Sequence, residues 1–108
     1  MSWSINYYNE SVEEGILALP PKLLARYLKL TDLMTELGAD LGMPHTKHLK
    51  EGLIELRLKS KEGIARVFYC TLVGKRIVIL HCFIKKSQKI PTKELMIARK
   101  RLCEVKKL

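Results

Sequence analysis

The stretch from Leu53 to Lys85 constrains this chain more than any other, because three β-rich runs follow one another with almost no chain between them. Leu53 to Lys59 alternates strictly, with Ile54, Leu56 and Leu58 on one face and Glu55, Arg57 and Lys59 on the other. That period of two marks a strand with one buried and one polar face. Ile64 to Val73 and Arg76 to Lys85 are rich in β-branched and aromatic residues, which suit a pleated, half-buried surface. The turn at Ser60 to Gly63 and the pair Gly74-Lys75 are far too short for the crossover a parallel pair needs. The three runs therefore predict an antiparallel meander.

Ahead of the meander, Trp3 to Tyr8 reads as a first strand. Ser11-Val-Glu-Glu14 matches a capping box, with Val12, Ile16 and Leu19 on one face of a short helix. Pro20 and Pro21 end that helix and suit the first turn of another. Leu23, Leu24, Tyr27, Leu28, Leu30, Leu33, Met34 and Leu37 recur at three- and four-residue spacing up to Gly38, the stripe of a helix that covers a sheet. Residues 40–52 show no period and read as a basic loop. Behind Pro91, Thr92 to Lys107 reads as a basic helix with Leu95, Ala98, Leu102 and Val105 on one side and Glu94 in its first turn.

At 108 residues the chain is expected to be one domain, and 47% hydrophobic residues exclude disorder as the default. The longest apolar run, Ile77 to Leu80, is too short for a membrane span, and the basic-then-apolar start of a secretory signal is absent. No membrane partner and a cytoplasmic location are expected. Cys70, Cys82 and Cys103 are odd in number and form no CxxC pair, so reduced thiols filling the core are expected rather than disulfides or a zinc ribbon. Charge is lopsided. Met1 to Thr46 carries 3 Lys+Arg against 6 Asp+Glu, whereas Lys47 to Leu108 carries 17 against 5. That distribution suits a polyanionic partner such as nucleic acid or an acidic protein segment.

Strand parity suggests where the basic groups gather. Ile77, Ile79, His81, Phe83 and Lys85 share one face of the last strand, and Val78, Leu80, Cys82 and Ile84 share the wholly apolar other, which is expected to meet the helices. Arg66 lies on the face of Ile64, Phe68 and Cys70, and Arg57 on that of Glu55 and Lys59. If the more apolar face of each strand packs under the helices, Arg57, Arg66, His81, Phe83 and Lys85 converge on the opposite one. Each also has a plainer reading: an arginine paired with Glu55 across strands, a core histidine, core phenylalanines. Gly-rich phosphate loops, GxSxG, HExxH and DxDxDG are missing, so nucleotide, hydrolase, zinc-protease and calcium chemistry have no motif. His45-x-x-His48 lacks the further ligands a metal site needs. No metal and no cofactor are expected.

Three blocks in order carry a resemblance. Lys47-His-Leu-Lys-Glu-Gly-Leu-Ile-Glu-Leu-Arg57, then Ala65-Arg-Val-Phe-Tyr69, then Leu80-His-Cys-Phe-Ile-Lys-Lys-Ser-Gln-Lys-Ile-Pro-Thr92 with Glu94 to Arg101 resemble the HigB-like, phage-derived branch of the RelE/ParE toxin superfamily. The similarity runs over nearly the whole chain. Ala65 stands where that branch often has Tyr, Ser87 where it has Thr, and the C-terminal Asp-Tyr-His cluster of some HigB toxins is missing.

The resemblance implies a RelE-like α+β fold in one domain, residues 1–108. Its small antiparallel sheet would join an N-terminal strand to the three-strand meander, with two N-terminal helices on one face and a C-terminal helix. It implies the toxin of a type II toxin–antitoxin system, held by a cognate helix-turn-helix antitoxin through which operator DNA is reached only indirectly. In the RelE and HigB branches the activity is metal-free, ribosome-dependent endonucleolytic cleavage of mRNA, whereas the ParE branch poisons DNA gyrase on the same scaffold. A non-catalytic module that grips RNA or ribosome is the third reading.

Metal-free RNA cleavage needs a base for the 2′-hydroxyl, cations for the phosphorane and an acid for the leaving 5′-oxygen. Arg57 and Arg66 suit the phosphorane and His81 the proton transfer. Lys85 or Lys86 suits assistance or phosphate binding. Lys47, His48 and Lys50 suit the RNA backbone, and Phe83 suits stacking on a base.

Overall fold

A computed structural model describes residues 2–85 and 89–107 of the chain. In chain order the elements are β1 (Ser4–Tyr7), α1 (Glu10–Leu17), α2 (Pro21–Leu37), β2 (Thr46–His48), a 3-10 turn at Lys50–Gly52, β3 (Ile54–Ser60), β4 (Gly63–Leu72), β5 (Arg76–Lys85) and α3 (Thr92–Val105). The predicted meander is present as β3, β4 and β5, all antiparallel. Gly74 (φ 89°) and Lys75 (φ 57°) take left-handed backbone at the β4–β5 turn, as tight hairpins require.

The sheet has five strands in the order β1-β5-β4-β3-β2. Two features differ from the sequence reading. β1 runs parallel to β5, so the sheet is mixed. The α1–α2 segment carries the chain from β1 at one edge of the sheet to β2 at the other, and the meander then returns to β5 beside β1, so the parallel pair is joined by far more than a hairpin. The supposed loop at 40–52 contributes β2, a three-residue antiparallel edge strand on β3. So short a strand cannot display a period.

Packing explains the helices. Val12 and Ile16 of α1 and Leu23, Tyr27, Leu30 and Met34 of α2 meet Ile54, Leu56, Leu58, Ala65, Val67, Tyr69, Ile77 and Ile79 in one core. On the other face, Ala98 and Leu102 of α3 cover Leu53, Phe68, Cys70, Val78 and Leu80. The sheet is therefore sandwiched between α1/α2 and α3. The cap of α1 is Asn9, whose side chain accepts from the Val12 N–H at 2.9 Å. The helix begins at Glu10, ahead of the Ser11 box, because an Asn side chain satisfies the same orphan amide.

One irregularity decides which side chains share a face. Phe68 pairs with His81 but Tyr69 pairs with Ile79, so Leu80 is an extra residue in β5. Such a bulge reverses the alternation beyond it. Val78 and Leu80, expected under the N-terminal helices, instead pack beneath α3, while Cys82 does lie on the α1/α2 side. Ile77 and Ile79 lie in the α1/α2 core, separated by the bulge from the His81, Phe83 and Lys85 with which parity grouped them.

Candidate active site

The registers set out a grid on the face away from α1 and α2. One row across the strands is Lys47, Glu55, Phe68 and His81; the next is Arg57, Arg66 and Phe83; the third is Lys59, Ile64 and Lys85. Arg66 occupies the middle of this grid, with Arg57 and Phe83 as its cross-strand partners. Two arginines directly opposite repel, and Glu55 on the neighbouring row answers that charge through a buried ion pair with the Arg66 guanidinium.

Lys47, Glu55, Arg57, Arg66, Lys85, Lys89 and Ile90 line an open cleft of about 480 Å³. Five cations face one carboxylate there. Arg66 is 5% exposed and Glu55 fully buried. Even with their ion pair made, Glu55 Oε1 and Arg66 Nε have no hydrogen-bond partner, and among the described residues they are the only buried side-chain polar atoms in that condition. Each such atom costs about 1–3 kcal/mol, so both deficits fall in a single place. The Lys85 ammonium is held below the usual lysine range by desolvation first and then by the charges of Arg66 and Arg57, with Glu55 pulling the other way.

His81 stands beside the cleft and does not line it. Its Nε2 lies 2.5 Å from Glu94 Oε1 at the start of α3. Its ring stacks on Phe83 at 6.2 Å, and Phe83 stacks on Phe68 at 5.8 Å. These three rings make an aromatic floor next to the basic groups.

The remaining sequence-derived candidates lie elsewhere. His48 pairs with Ile54 in register, on the opposite face from Lys47, and its Nε2 lies 2.9 Å from Asp40 Oδ2. Hydrogen bonds from Thr46, His48 and the Gly42 amide hold the Asp40 carboxyl below its ordinary range. Lys50 sits in the 3-10 turn, where its carbonyl accepts from Arg99. Lys86 lies outside the described residues. Among the described residues, no group of three or more His, Cys, Asp or Glu side chains is placed to hold a metal ion.

Sequence reasoning did not assign Glu94 or Lys89 a place here. The only sign of Glu94 was its position in the first turn of a helix, and the register that brings it to His81 depends on the bulge.

A mixed sheet clasped between helices is a fold that the comparisons with known proteins also find. The chain is similar in structure to the archaeal RelE–RelB complex from Pyrococcus horikoshii OT3, with a TM-score of 0.52 and 20% identity over 78% of this chain and 96% of that one. Residues 14–103 match the family model described as Phage derived protein Gp49-like (DUF891), and the chain belongs to that family. None of the curated proteins matches it. No helix among the described residues is long and apolar enough to cross a membrane.

Proposed function

We propose that this chain is the toxin of a type II toxin–antitoxin pair and acts as a ribosome-dependent, metal-free mRNA endonuclease that inhibits translation. The observation carrying this reading is the cleft in which five cations face one carboxylate and the only two buried side-chain hydrogen-bond deficits among the described residues coincide. In this mechanism the 2′-hydroxyl loses its proton and its oxygen attacks the adjacent phosphorus. The bond to the 5′-oxygen then breaks, and that oxygen takes up a proton. Arg57 and Arg66 sit side by side to receive the non-bridging oxygens, where developing negative charge is greatest. An entering phosphate competes with Glu55 for Arg66 and supplies the acceptor that Arg66 Nε lacks.

Lys85 is the proton carrier on whose charge these arginines act, and the lowered affinity of its amine for a proton suits that task. His81, oriented by Glu94, is the second candidate, at the edge of the cleft. Phe83 offers a base a stacking face, and Lys47 holds backbone at the entrance. In this reading a cognate helix-turn-helix antitoxin neutralises the toxin; the archaeal neighbour, solved as a RelE–RelB complex, supports an antitoxin partner.

The non-catalytic RNA-binding reading draws on one observation: Arg66 is nearly buried and already paired. Inducible expression separates the readings when growth is followed beside primer extension on an abundant mRNA. Wild type is expected to arrest growth and give discrete cuts. Arg57→Ala and Lys85→Ala, at positions partly open to solvent, are expected to fold and lose the cuts. Arrest with intact mRNA, with or without capture of gyrase, overturns the ribonuclease reading, and RNA binding without any cut product supports the non-catalytic module.

A further inference from the structure

The cleft does not end at Arg57. Arg57 also lines a second hollow of about 340 Å³, with Arg26, Pro44, His45, Lys59 and Ile64. Arg26 and Lys59 in turn line a third, of about 280 Å³, with Lys22, Ala25, Lys29 and Ser60. Shared walls join the three hollows into one track, and no carboxylate lines either of the outer two.

Charge placement on α2 makes this track more than a by-product of a basic protein. The first 46 residues hold only three cations against six acids. All three, Lys22, Arg26 and Lys29, fall within eight residues of α2 at i, i+4 and i+7, a spacing that puts them on one helical face. Of the acids, Glu10, Glu13 and Glu14 lie on α1 and Asp40 lies beyond the end of α2, while Asp32 and Glu36 continue the same face of α2 towards its C-terminus, with no ion pair to Lys29 among the described residues.

This polarity opposes the helix dipole, which favours acids in the first turn and bases in the last. α2 has no acid in its first turn and no base in its last. Glu62, the acid close at hand, accepts from the Lys22 backbone N–H at 2.7 Å. None of Lys22, Arg26, Lys29 or Lys59 has an ion pair among the described residues. Only Lys22 lies in the first turn, where the dipole acts; with Arg26, Lys29 and Lys59 it forms a row of unpaired cations open to a partner from outside.

We propose that RNA leaves the cleft past Arg57 and Lys59 and runs over the N-terminal half of α2, where Lys22, Arg26 and Lys29 hold phosphates of the same strand. The ligand is a single-stranded phosphodiester backbone. It is read chiefly by charge: the outer two hollows present no Phe, Tyr or Trp side chain, and His45 is the one ring that lines them. The three positions span about 10 Å of helix axis at 1.5 Å per residue, so they track a strand rather than mark one anion. The proposal rests on the RNA reading of the cleft.

The test compares full-length wild type, Lys22→Ala/Lys29→Ala and a matched control, Lys100→Ala/Lys107→Ala, which removes two exposed cations from the α3 end of the molecule. The probe is a short labelled single-stranded RNA titrated over a range of salt. The α2 variant is expected to bind at least ten-fold more weakly at low salt. The slope of log affinity against log salt is expected to flatten by about 1.4, at about 0.7 for each phosphate no longer neutralised. Its Tm should not fall, since the helix loses a cation its dipole disfavours, and the control should bind as wild type does. Wild-type affinity and slope in the α2 variant, or equal losses in the control, overturn the track while leaving the cleft untouched. Wild type that binds no RNA at all overturns the reading of the cleft and this extension with it.

Discussion

Arg66 and Glu55 are the residues on which stability and proposed function pull in different directions. Both are buried, and each answers the other's charge. Removing one partner of such a pair strands a charge in low dielectric, which costs about 3–5 kcal/mol. Glu55→Ala is therefore expected to lower the unfolding free energy measured in urea by that amount, whereas Glu55→Leu/Arg66→Met should recover most of the loss. A stable single variant with a double variant no better would show that the pair carries little stability. Charge also governs Lys85, whose ammonium the neighbouring arginines destabilise after desolvation has done so. The neutral amine is thus populated at lower pH than in an ordinary lysine. If Lys85 carries a proton in the reaction, the limb of the rate–pH profile belonging to it lies below the usual lysine value. Any residual activity of Arg57→Ala should show that limb moved to higher pH, because one repelling charge is gone; a limb that stays put would assign it to another group.

At the scale of elements, the bulge at Leu80 does the most to shape the site. Without it, His81, Phe83 and Lys85 would point towards α1 and α2, on the parity of Ile77 and Ile79. Arg101 of α3 holds the bulge by donating to the Leu80 carbonyl at 2.8 Å while its guanidinium lies 4.9 Å from the centroid of the Tyr8 ring. A hydrogen bond from a charged donor contributes about 1.5–3 kcal/mol. On that scale Arg101→Ala is expected to lower stability by about 2 kcal/mol in chemical denaturation and to exchange the β5 amides around Leu80 faster, with Arg101→Lys intermediate. Unchanged exchange at the bulge would remove Arg101 from that role. The same bulge explains what was legible in the sequence. The parity of β3 and β4 gave Arg57 and Arg66 their faces because both strands are regular over seven and ten residues. In β5 one rule could not serve both halves, since nothing in Ile79-Leu80-His81 announces an extra residue. Convergence of the five side chains came out of two misplacements that cancelled: Ile77 and Ile79 exchanged sides with Val78 and Leu80, and the bulge returned His81, Phe83 and Lys85 to the expected face. β2 escaped notice for lack of length, and Asn9 because the Ser11 box offered an equally sound cap nearby.

For the whole molecule, the distribution of charge is the decisive property, and it links stability to the proposed binding with opposite signs. The chain carries a formal net charge of +9, yet its described ion pairs are one buried pair, the partly buried His81–Glu94 pair and two more exposed ones, and two of the four need a protonated histidine. Exposed pairs contribute about 0–1 kcal/mol each and weaken with salt. Repulsion among the cations of the cleft and track weakens too, because the screening length falls from about 30 Å at 0.01 M to about 8 Å at 0.15 M. With 20 basic residues against 11 acidic ones, relief of repulsion outweighs the loss of surface pairs. Raising salt over that range is therefore expected to raise the Tm of the free protein. Binding to RNA exchanges condensed counterions for lysine and arginine, so the same change in salt should weaken the complex. Calorimetry with and without a single-stranded RNA checks both at once: free protein melts later with salt, and the increment from RNA shrinks. A free protein that melts earlier with salt would mean that ion pairs, rather than clustered cations, dominate its surface. The clustered charge on Lys22, Arg26 and Lys29 would then need no outside partner to account for it.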